Sequence, residues 1–289
     1  MAVECGSVEE LSGRTAVVTG AASGIGRALS RACAAEGMRV VVSDVEGAAL
    51  EALADELREG GAEVRAFVAD VAVADQVRRL AEQSAEAFGK LHLVCHNAGV
   101  FAGGLSWEAS PADYAWVFDV NVWGVVHGVR HFTPLQLAHG EPGHVVITAS
   151  MAALTSTPFN APYTMSKHAA LGMAETLRLE LTARQAAVGV SVLCPELVQT
   201  RIGESQRNRP EHHKREGPSH AERELVETAL VESTAGGLDP AEIAARTLRA
   251  VRDDRFYVLP PEGDPWRRAC HARLDAIRSE CNPELEVAR

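Results

Sequence analysis

The feature that most constrains the fold of this chain is a repeated alternation of short strands and helices in its hydrophobic pattern. Residues 15–19 form a β-favouring run that ends in a glycine-rich turn, and apolar residues then recur at helical spacing from Ile25. Further strands are predicted at 39–43, 63–69, 91–95, 144–148, 190–194 and 256–259. Because alternating strands and helices form right-handed crossovers, the strands should lie parallel. The pattern predicts an α/β fold with one doubly wound parallel sheet of about seven strands and helices on both faces.

Turn residues and polar runs mark where the predicted helices begin and end. Helices bounded by glycine or opened by proline are predicted at 48–59, at 75–88, after Pro111 and near Pro162. Residues 205–220 are nearly all polar, which is typical of a solvated loop with little to bury. Beyond them, helices are predicted at 222–231, from Asp239 onward and at 264–280.

The charge balance argues against two classes of partner. The chain has 28 basic and 39 acidic residues, and its formal net charge of −11 repels nucleic acid and anionic lipid. The first residues lack a basic and apolar leader, and no stretch reaches the roughly 20 apolar residues of a membrane span. We therefore expect no nucleic-acid or membrane partner and a cytoplasmic location.

Neither the cysteines nor the histidines predict a metal site. The cysteines form no C-x-x-C pair and are interpreted as reduced. His127 and His131 stand four residues apart on a predicted helix, but no H-E-x-x-H motif or third ligand accompanies them. His212, His213 and His220 fall in the polar loop, where solvation explains them. No metal is predicted.

The first glycine-rich turn can receive a phosphate group. It joins the first strand to the first helix, where free backbone N–H groups and the positive helix end favour a pyrophosphate. The turn contains Gly20, Ser23, Gly24, Ile25 and Gly26. Their spacing, G-x-x-x-G-x-G, differs from the G-x-G-x-x-G dinucleotide fingerprint. A tight turn that needs glycine dihedrals is therefore the alternative explanation.

Asp44 ends the second predicted strand, close to where an acidic residue would bind the ribose hydroxyls of a dinucleotide. A carboxylate there repels the 2′-phosphate of NADP. Val45 and Glu46 follow it, so no neighbouring basic residue neutralises that phosphate. Asp44 therefore favours NAD over NADP. The alternative is that Asp44 only caps the next helix.

Tyr163 and Lys167 are a candidate acid-base pair. Four residues apart near the start of a predicted helix, they lie on one helix face. Because an adjacent ammonium lowers the pKa of a phenol toward neutrality, we expect Lys167 to prepare Tyr163 for proton transfer. Ser150, at a strand end 13 residues earlier, can hydrogen-bond a substrate oxygen. A lone Tyr-x-x-x-Lys pair is more often surface packing, but its order behind the glycine-rich turn favours catalysis.

From Thr19 to about Thr200 these motifs resemble, in order, those of the classical short-chain dehydrogenase/reductase family. They cover its cofactor loop, its adenine contact, its central-strand motif and its stretch beside the nicotinamide. The residues that match those motifs, besides Asp44, are Gly20, Ser23, Gly24, Ile25, Gly26, Asp70, Val71, Asn97, Ala98, Gly99, Pro195, Val198 and Thr200. The resemblance implies a Rossmann-like sheet that binds NAD.

The catalytic tetrad of that family is matched by Asn121, Ser150, Tyr163 and Lys167. The resemblance implies that Tyr163 is the acid-base and that Ser150 holds the substrate oxygen. It implies that Lys167 also grips the nicotinamide ribose and that Asn121 holds a water for proton relay.

Two positions depart from the family pattern without removing a catalytic group. Glu196 stands where the family usually has glycine, and His96 replaces the common asparagine before Asn97. We expect Glu196 to add a side chain, and a charge, close to the nicotinamide and substrate pocket. It is a candidate for tuning the choice of substrate.

The expected activity is the interconversion of a secondary alcohol and its ketone by hydride transfer with NAD. Candidate substrate contacts are Ser150, Met151, Tyr163, Glu196 and Leu197. Apolar walls are expected from Phe101, Met151, Trp107 and Phe159, which favour a lipophilic or alicyclic substrate over a sugar; the alternative is that they pack the core. Two alternative functions stay open. The same tetrad could serve epimerisation or dehydration, or the protein could be a non-catalytic nucleotide sensor.

The organisation of the chain is expected to be simple. Neither a repeat nor an interdomain linker is visible, so residues 1–289 are predicted to form one NAD-binding catalytic domain. Residues 201–238 are predicted to be a substrate-side insertion and residues 262–289 a C-terminal helical extension. The family resemblance implies a homotetramer or homodimer built through the helices that follow Pro111 and Pro162.

Overall fold

The central sheet contains seven parallel strands. The computed structural model describes Val8, residues 10–214 and residues 221–283. The strands are β1 (Thr15–Thr19), β2 (Arg39–Asp44), β3 (Val64–Val68), β4 (Leu93–His96), β5 (Gly143–Thr148), β6 (Val188–Leu193) and β7 (Tyr257–Val258). They lie in the order β3-β2-β1-β4-β5-β6-β7, and every neighbouring pair is parallel. The predicted α/β fold with one doubly wound sheet is confirmed.

Helices cover both faces of this sheet. They are α1 (Gly24–Ala35), α2 (Gly47–Glu59), α3 (Ala74–Phe88), α4 (Pro111–Phe118), α5 (Gly124–His139), α6 (Ala161–Ala183), α7 (Ala221–Ala235), α8 (Pro240–Arg252) and α9 (Pro265–Arg278). Helices α1, α2 and α8 pack on one face, and α3, α5 and α6 pack on the other. None of the helices in the described ranges has the length and apolar composition that crossing a lipid bilayer requires.

Strand β1 shows why the sequence forms a sheet covered on both faces. Its five residues are all buried. Ala16 and Val18 pack with α1, α2 and α8, whereas Val17 packs with α3 on the opposite face. Side chains of successive strand residues point to opposite faces, so a run of apolar residues suits a strand buried on both sides.

Except for β1, the bounds of the predicted strands differ from the observed ones by one or two residues. Strand β4 begins at Leu93 and includes His96, whereas the prediction was 91–95. Strand β7 has only two residues, where four were predicted at 256–259; it lies at the sheet edge and pairs with β6 alone. Tyr257 is correspondingly exposed.

The interpretation of 205–220 as a polar loop with little to bury is wrong for its described part. Short 3-10 helices form at Ile202–Asn208 and Glu211–His213. Between them, the Arg209 side chain is buried, and its Nη1 lies 2.6 Å from Oδ1 of the buried Asp113. A charged side chain can be buried when it is paired, which a hydrophobicity pattern does not detect. Residues 215–220, including His220, lie outside the described residues.

Candidate active site

The turn between β1 and α1 lies at the carboxyl end of the sheet, and its glycines allow a tight backbone conformation. Gly20 and Gly24 have positive φ values of +65° and +50°, which only glycine adopts without strain. A Cβ on Gly26 would lie 2.0 Å from the carbonyl oxygen of Gly20. Ser23 stands at the N-cap of α1 without a side-chain hydrogen bond to the helix. The turn geometry needs these glycines, and it also leaves helix N–H groups for an anion such as a pyrophosphate.

Asp44 supports this turn from the end of β2. Its Oδ2 accepts a hydrogen bond of 2.9 Å from the backbone N–H of Ala22, and its Oδ1 accepts one of 3.0 Å from Glu46. The N-cap residue of α2 is Glu46 and not Asp44. The carboxylate lies on the cleft beside the glycine turn, where the ribose of a dinucleotide would fit.

Asn97 joins three neighbouring strands at the same end of the sheet. Its Nδ2 donates to the carbonyl oxygens of Thr19 (3.1 Å) and Gly20 (3.3 Å). Its Oδ1 accepts from the hydroxyl of Thr148 at 3.3 Å. A Cβ on Gly20 would lie only 2.7 Å from the Cα of Ala98. These contacts fix the floor of a cleft between β1, β4 and β5.

Ser150, Tyr163 and Lys167 meet where β5 ends and α6 begins. Ser150 follows β5 and caps a short 3-10 helix, its hydroxyl accepting from the N–H of Ala152 at 3.1 Å. It also hydrogen-bonds the side chain of Tyr163. The Nζ of Lys167 lies 5.5 Å from the Tyr163 ring centre and donates to the carbonyl oxygen of Thr148 at 3.0 Å. The three predicted side chains therefore share one end of the cleft.

The pKa values of Tyr163 and Lys167 differ from the expectation based on the sequence. Burial raises the pKa of Tyr163 to about 12, against the opposing effect of its hydrogen bond with Ser150. Burial also lowers the pKa of Lys167 to about 8. The expected lowering of the phenol pKa by Lys167 is wrong for the protein alone, because desolvation of both groups dominates. The lysine, rather than the tyrosine, titrates closest to neutrality.

Asn121 lies behind the cleft on a π-helical turn. The predicted long helix after Pro111 is interrupted between α4 and α5 by this turn, which spans Asp119–Trp123. The side chain of Asn121 accepts from the N–H of Val100 at 2.8 Å and donates to the Val100 carbonyl and the Ser166 hydroxyl, both at 3.0 Å. π-helical turns are frequent at functional sites. The observed contacts of Asn121 tie the segment after β4 to α6.

Glu196 lines the cleft with a carboxylate that is paired with an arginine. Its buried carboxylate accepts two hydrogen bonds from Nη1 of Arg246 on α8, at 3.0 and 3.1 Å. Arg246 also donates to the carbonyl oxygen of Leu259. Glu196 therefore adds a side chain at the cleft as expected, but Arg246 balances its charge. Nearby, the Thr200 methyl packs against Gly24, where a Cβ would lie 2.8 Å away.

Almost all predicted site residues line one cleft of about 620 Å³. The exceptions are Gly26 and Asn121, which lie behind its wall. The lining includes the predicted residues Gly20, Ser23, Gly24, Ile25, Asp44, Asp70, Val71, Asn97, Ala98, Gly99, Ser150, Met151, Tyr163, Lys167, Pro195, Glu196, Leu197, Val198 and Thr200. The cleft is long enough to join the glycine turn to the Tyr163 end without a break.

Two of the four side chains predicted to form apolar walls line the cleft. Phe101 lines the cleft with its ring centre 5.2 Å from that of Tyr163, and Met151 lines it too. Trp107 is 79% exposed, and Phe159 lies outside the lining at a positive φ of 65°. Lining residues that the sequence did not indicate include Trp116 and Trp266, whereas Ile202, Arg207 and Leu230 fall in the predicted substrate-side insertion.

The histidines considered as metal ligands have other neighbours in the structure. His127 stacks on Trp123 with ring centres 5.8 Å apart, and His213 lies 2.9 Å from the carboxylate of Asp119. Across the described ranges, no group of three or more His, Cys, Asp or Glu side chains is placed to hold a metal ion.

Comparison with known proteins assigns the family. Residues 14–211 match the family model described as short chain dehydrogenase. The chain is 39% identical to 1-deoxy-11-β-hydroxypentalenate dehydrogenase of Streptomyces arenae, covering 88% of this chain and 84% of that protein. It is 45% identical to the protein of the same name from Streptomyces exfoliatus, covering 86% and 83%.

A solved structure is similar over nearly the whole length. It is a short-chain dehydrogenase/reductase from Burkholderia phymatum in complex with NAD, with a TM-score of 0.94 and 40% identity over 97% of this chain and 99% of that one. Together with the ordered motifs in the cleft, these matches show that the chain belongs to the short-chain dehydrogenase/reductase family.

Proposed function

We propose that the protein is an NAD-dependent dehydrogenase that interconverts a secondary alcohol and its ketone. The observation that carries the proposal is the continuous cleft from the glycine turn and Asp44 to Ser150, Tyr163 and Lys167. One end suits the adenosine and pyrophosphate of a dinucleotide, and the other has the groups that move a proton. Membership in this family of oxidoreductases supports a nicotinamide cofactor.

Within this cleft, each polar side chain has a separate task. Bound NAD supplies the carbon that accepts the hydride. The Tyr163 hydroxyl exchanges the proton of the substrate oxygen, and the Ser150 hydroxyl donates a hydrogen bond to that oxygen as its charge changes. Lys167 lies beside the phenol and donates to the Thr148 carbonyl, and because burial lowers its pKa to about 8, a proton can leave the pair near that pH. Asn121 lies behind the cleft wall, where its side chain fixes the backbone of Val100, and we propose that the relay water binds at this residue.

The choice of NAD rests on the position of Asp44. Both of its carboxylate oxygens are held at the cleft by backbone N–H groups, so a 2′-phosphate would meet a fixed negative charge. The similar Burkholderia structure was solved with NAD, which supports the same cofactor here.

The substrate is proposed to be bulky, apolar and alicyclic. Phe101, Met151, Leu197, Ile202 and Trp266 line the cleft. Apolar walls with a few convergent hydroxyls suit a lipophilic alcohol better than a sugar, which needs many hydrogen bonds. The names of the Streptomyces relatives point to a hydroxylated alicyclic substrate of this kind.

The remaining proposals concern organisation. We propose one catalytic domain over residues 1–289 in the cytoplasm, with 201–238 as a substrate-side insertion and 262–289 as a helical extension. Assembly into a homodimer or homotetramer through the helices after Pro111 and Pro162 is supported by exposed apolar side chains, among them Trp123 on the π-helical turn and Met165 and Leu179 on α6. Sedimentation of the purified protein tests the assembly.

The proposed activity is tested by incubating the protein with NAD and open-chain, alicyclic and sugar secondary alcohols, following the absorbance of reduced nicotinamide. We expect net reduction of NAD, fastest with alicyclic alcohols. Tight NAD binding without net reduction would instead favour epimerisation or dehydration. Absence of both binding and turnover would contradict the proposal.

A further inference from the structure

Two arginines from a distant segment reach the cleft beside the end of β2. Nε of Arg207 lies 2.8 Å from Oε1 of Glu46, although the two residues are 161 positions apart. The side-chain amide of Asn208 donates to the same oxygen at 2.8 Å, and Nη1 of Arg201 lies 3.7 Å from Oε2. These four residues line the same cleft as Asp44.

Glu46 engages the positive charge at this end of the cleft. Its side chain and that of Arg207 are only 22% and 23% exposed, so their pairing is shielded from solvent more than a surface ion pair. Partial burial alone would raise the pKa of Glu46. Hydrogen bonds from Asn208 and Arg207, with the charges of both arginines, outweigh burial and lower that pKa. Glu46 is therefore anionic at neutral pH and balances the cations beside it.

The carboxylates of Asp44 and Glu46 bind different partners at the end of β2. Both oxygens of Asp44 are occupied by backbone N–H groups, one of them in the glycine turn, so Asp44 helps to hold the turn. The carboxylate of Glu46 instead contacts side chains from the 201–208 segment. Arginine is the side chain best suited to bind a phosphate, because its guanidinium presents several donors in a planar fork.

We infer that Glu46 is a specificity-determining residue that excludes a 2′-phosphate by keeping Arg207 engaged. The inference rests on the proposed function, because it takes the cleft to bind a nicotinamide dinucleotide. Selection against NADP then has two separable parts. Asp44 repels the phosphate directly, and Glu46 withholds the guanidinium group of Arg207, which would otherwise attract it.

The test is calorimetric binding of NAD and NADP to the full chain without substrate, for wild type, Glu46→Gln and Glu46→Gln/Arg207→Gln. Glutamine keeps the shape and the hydrogen-bond acceptor of Glu46 but removes its charge. We expect Glu46→Gln to shift the ratio of NADP to NAD affinity toward NADP by about ten- to a hundredfold, the effect of a charge-assisted contact. The double variant should lose most of that shift, because Arg207 supplies it.

Glu204→Gln is the matched control. Glu204 pairs with the same Arg201, with Oε2 2.8 Å from Nε, but it is not part of the cleft lining. Its removal should leave the affinity ratio unchanged. Equal weakening of both cofactors in Glu46→Gln would mean that Glu46 only holds the segment and would overturn the inference, as would a shift that survives the loss of Arg207.

These outcomes separate the inference from the proposed function. If wild type binds NAD and Glu46→Gln gains no NADP affinity, only the inference fails. If wild type binds neither dinucleotide or prefers NADP, the proposed cofactor fails first and the inference with it.

Discussion

Toward the amino end of the sheet, His144 and Ser191 lie near Asp254, whereas at the carboxyl end Ser150 lies with Tyr163 and Lys167. The first group has the residue types of a hydrolytic triad. Its His144 Nε2 is 2.8 Å from the Ser191 hydroxyl, and its Nδ1 is 4.0 Å from Asp254. By composition alone, the amino end would be the better candidate for nucleophilic catalysis.

The contacts of the amino-end group explain why it is structural. The Ser191 hydroxyl donates to the carbonyl oxygen of Arg255 at 2.7 Å, and Asp254 is paired with Arg178 through bonds of 2.6 and 2.8 Å. His144 and Ser191 have no exposed surface. At the carboxyl end, Ser150 and Tyr163 line the cleft. A catalytic group is therefore marked by contact with the cleft and by hydrogen-bonding atoms that a substrate can reach, and not by residue type alone.

The largest test of this comparison is Tyr163→Phe. Removal of the hydroxyl eliminates the proposed acid-base, so kcat should fall by about a thousandfold, within the range for general acid-base groups. NAD affinity should change little, because the phenol ring remains. Steady-state kinetics with an alicyclic alcohol and calorimetric titration with NAD measure the two quantities. A variant that retains near-normal kcat would reassign the acid-base to another residue.

A direct test of the two ends compares Ser150→Ala with Ser191→Ala. The first should lower kcat about a hundredfold through loss of a donor to the substrate oxygen. The second should leave kcat near wild type but lower the free energy of unfolding by about 1–3 kcal/mol, because buried partners of Ser191 lose a hydrogen bond. Steady-state kinetics measure kcat of both variants, and urea denaturation measures their free energy of unfolding. A large loss of kcat in Ser191→Ala at unchanged stability would break the comparison.

The pH dependence sharpens the role of the carboxyl-end pair. Burial lowers the pKa of Lys167 to about 8 and raises that of Tyr163 to about 12. Alcohol oxidation needs the pair to take up a proton, so kcat/KM for oxidation should rise with pH and level off above about 8. Ketone reduction needs a proton from the pair and should fall over the same range.

Lys167→Arg identifies the source of that step. Arginine keeps the positive charge but does not lose its proton in this range, so the step near pH 8 should disappear. Persistence of the step in the variant would show that another group titrates there.

Local patterns predicted much of the fold and of this site. Strand β1, the glycine turn and the start of α6 at Pro162 follow from periodicity and turn residues over short windows. Ser150 follows β5 and Asp44 ends β2, and the carboxyl ends of parallel strands meet at one edge. Their convergence in one cleft could therefore be expected before the structure was known.

Contacts between distant segments could not be predicted in this way. The pairing of Glu46 with Arg207 and the burial of Arg209 against Asp113 join parts of the chain that share no local pattern. The polar composition of residues 205–220 indicated solvent exposure, whereas ion pairing makes the burial of Arg209 possible. The same limit explains why the π-helical turn that carries Asn121 was expected to be regular helix.

His96 offers the smallest and most local test, because it is a polar residue at the carboxyl end that does not line the cleft. It is buried between Gly128 and Phe132, and its Nε2 has no hydrogen-bond partner among the described residues. Burial lowers its pKa to about 4. Position at this end of the sheet is therefore not sufficient for a role in the site, and His96 should matter for packing alone.

A Cβ on Gly128 would lie 2.3 Å from Nδ1 of His96, so Gly128→Ala should lower the free energy of unfolding by about 1–3 kcal/mol through overpacking. Adding His96→Asn, a smaller side chain, should recover most of the loss. Gly172→Ala on α6 is the control, because nothing lies within 4 Å of its added Cβ, and it should be neutral or slightly stabilising. Urea denaturation measures all three. Equal losses in Gly128→Ala with and without His96 would show that helix α5, rather than the His96 contact, resists the extra methyl group.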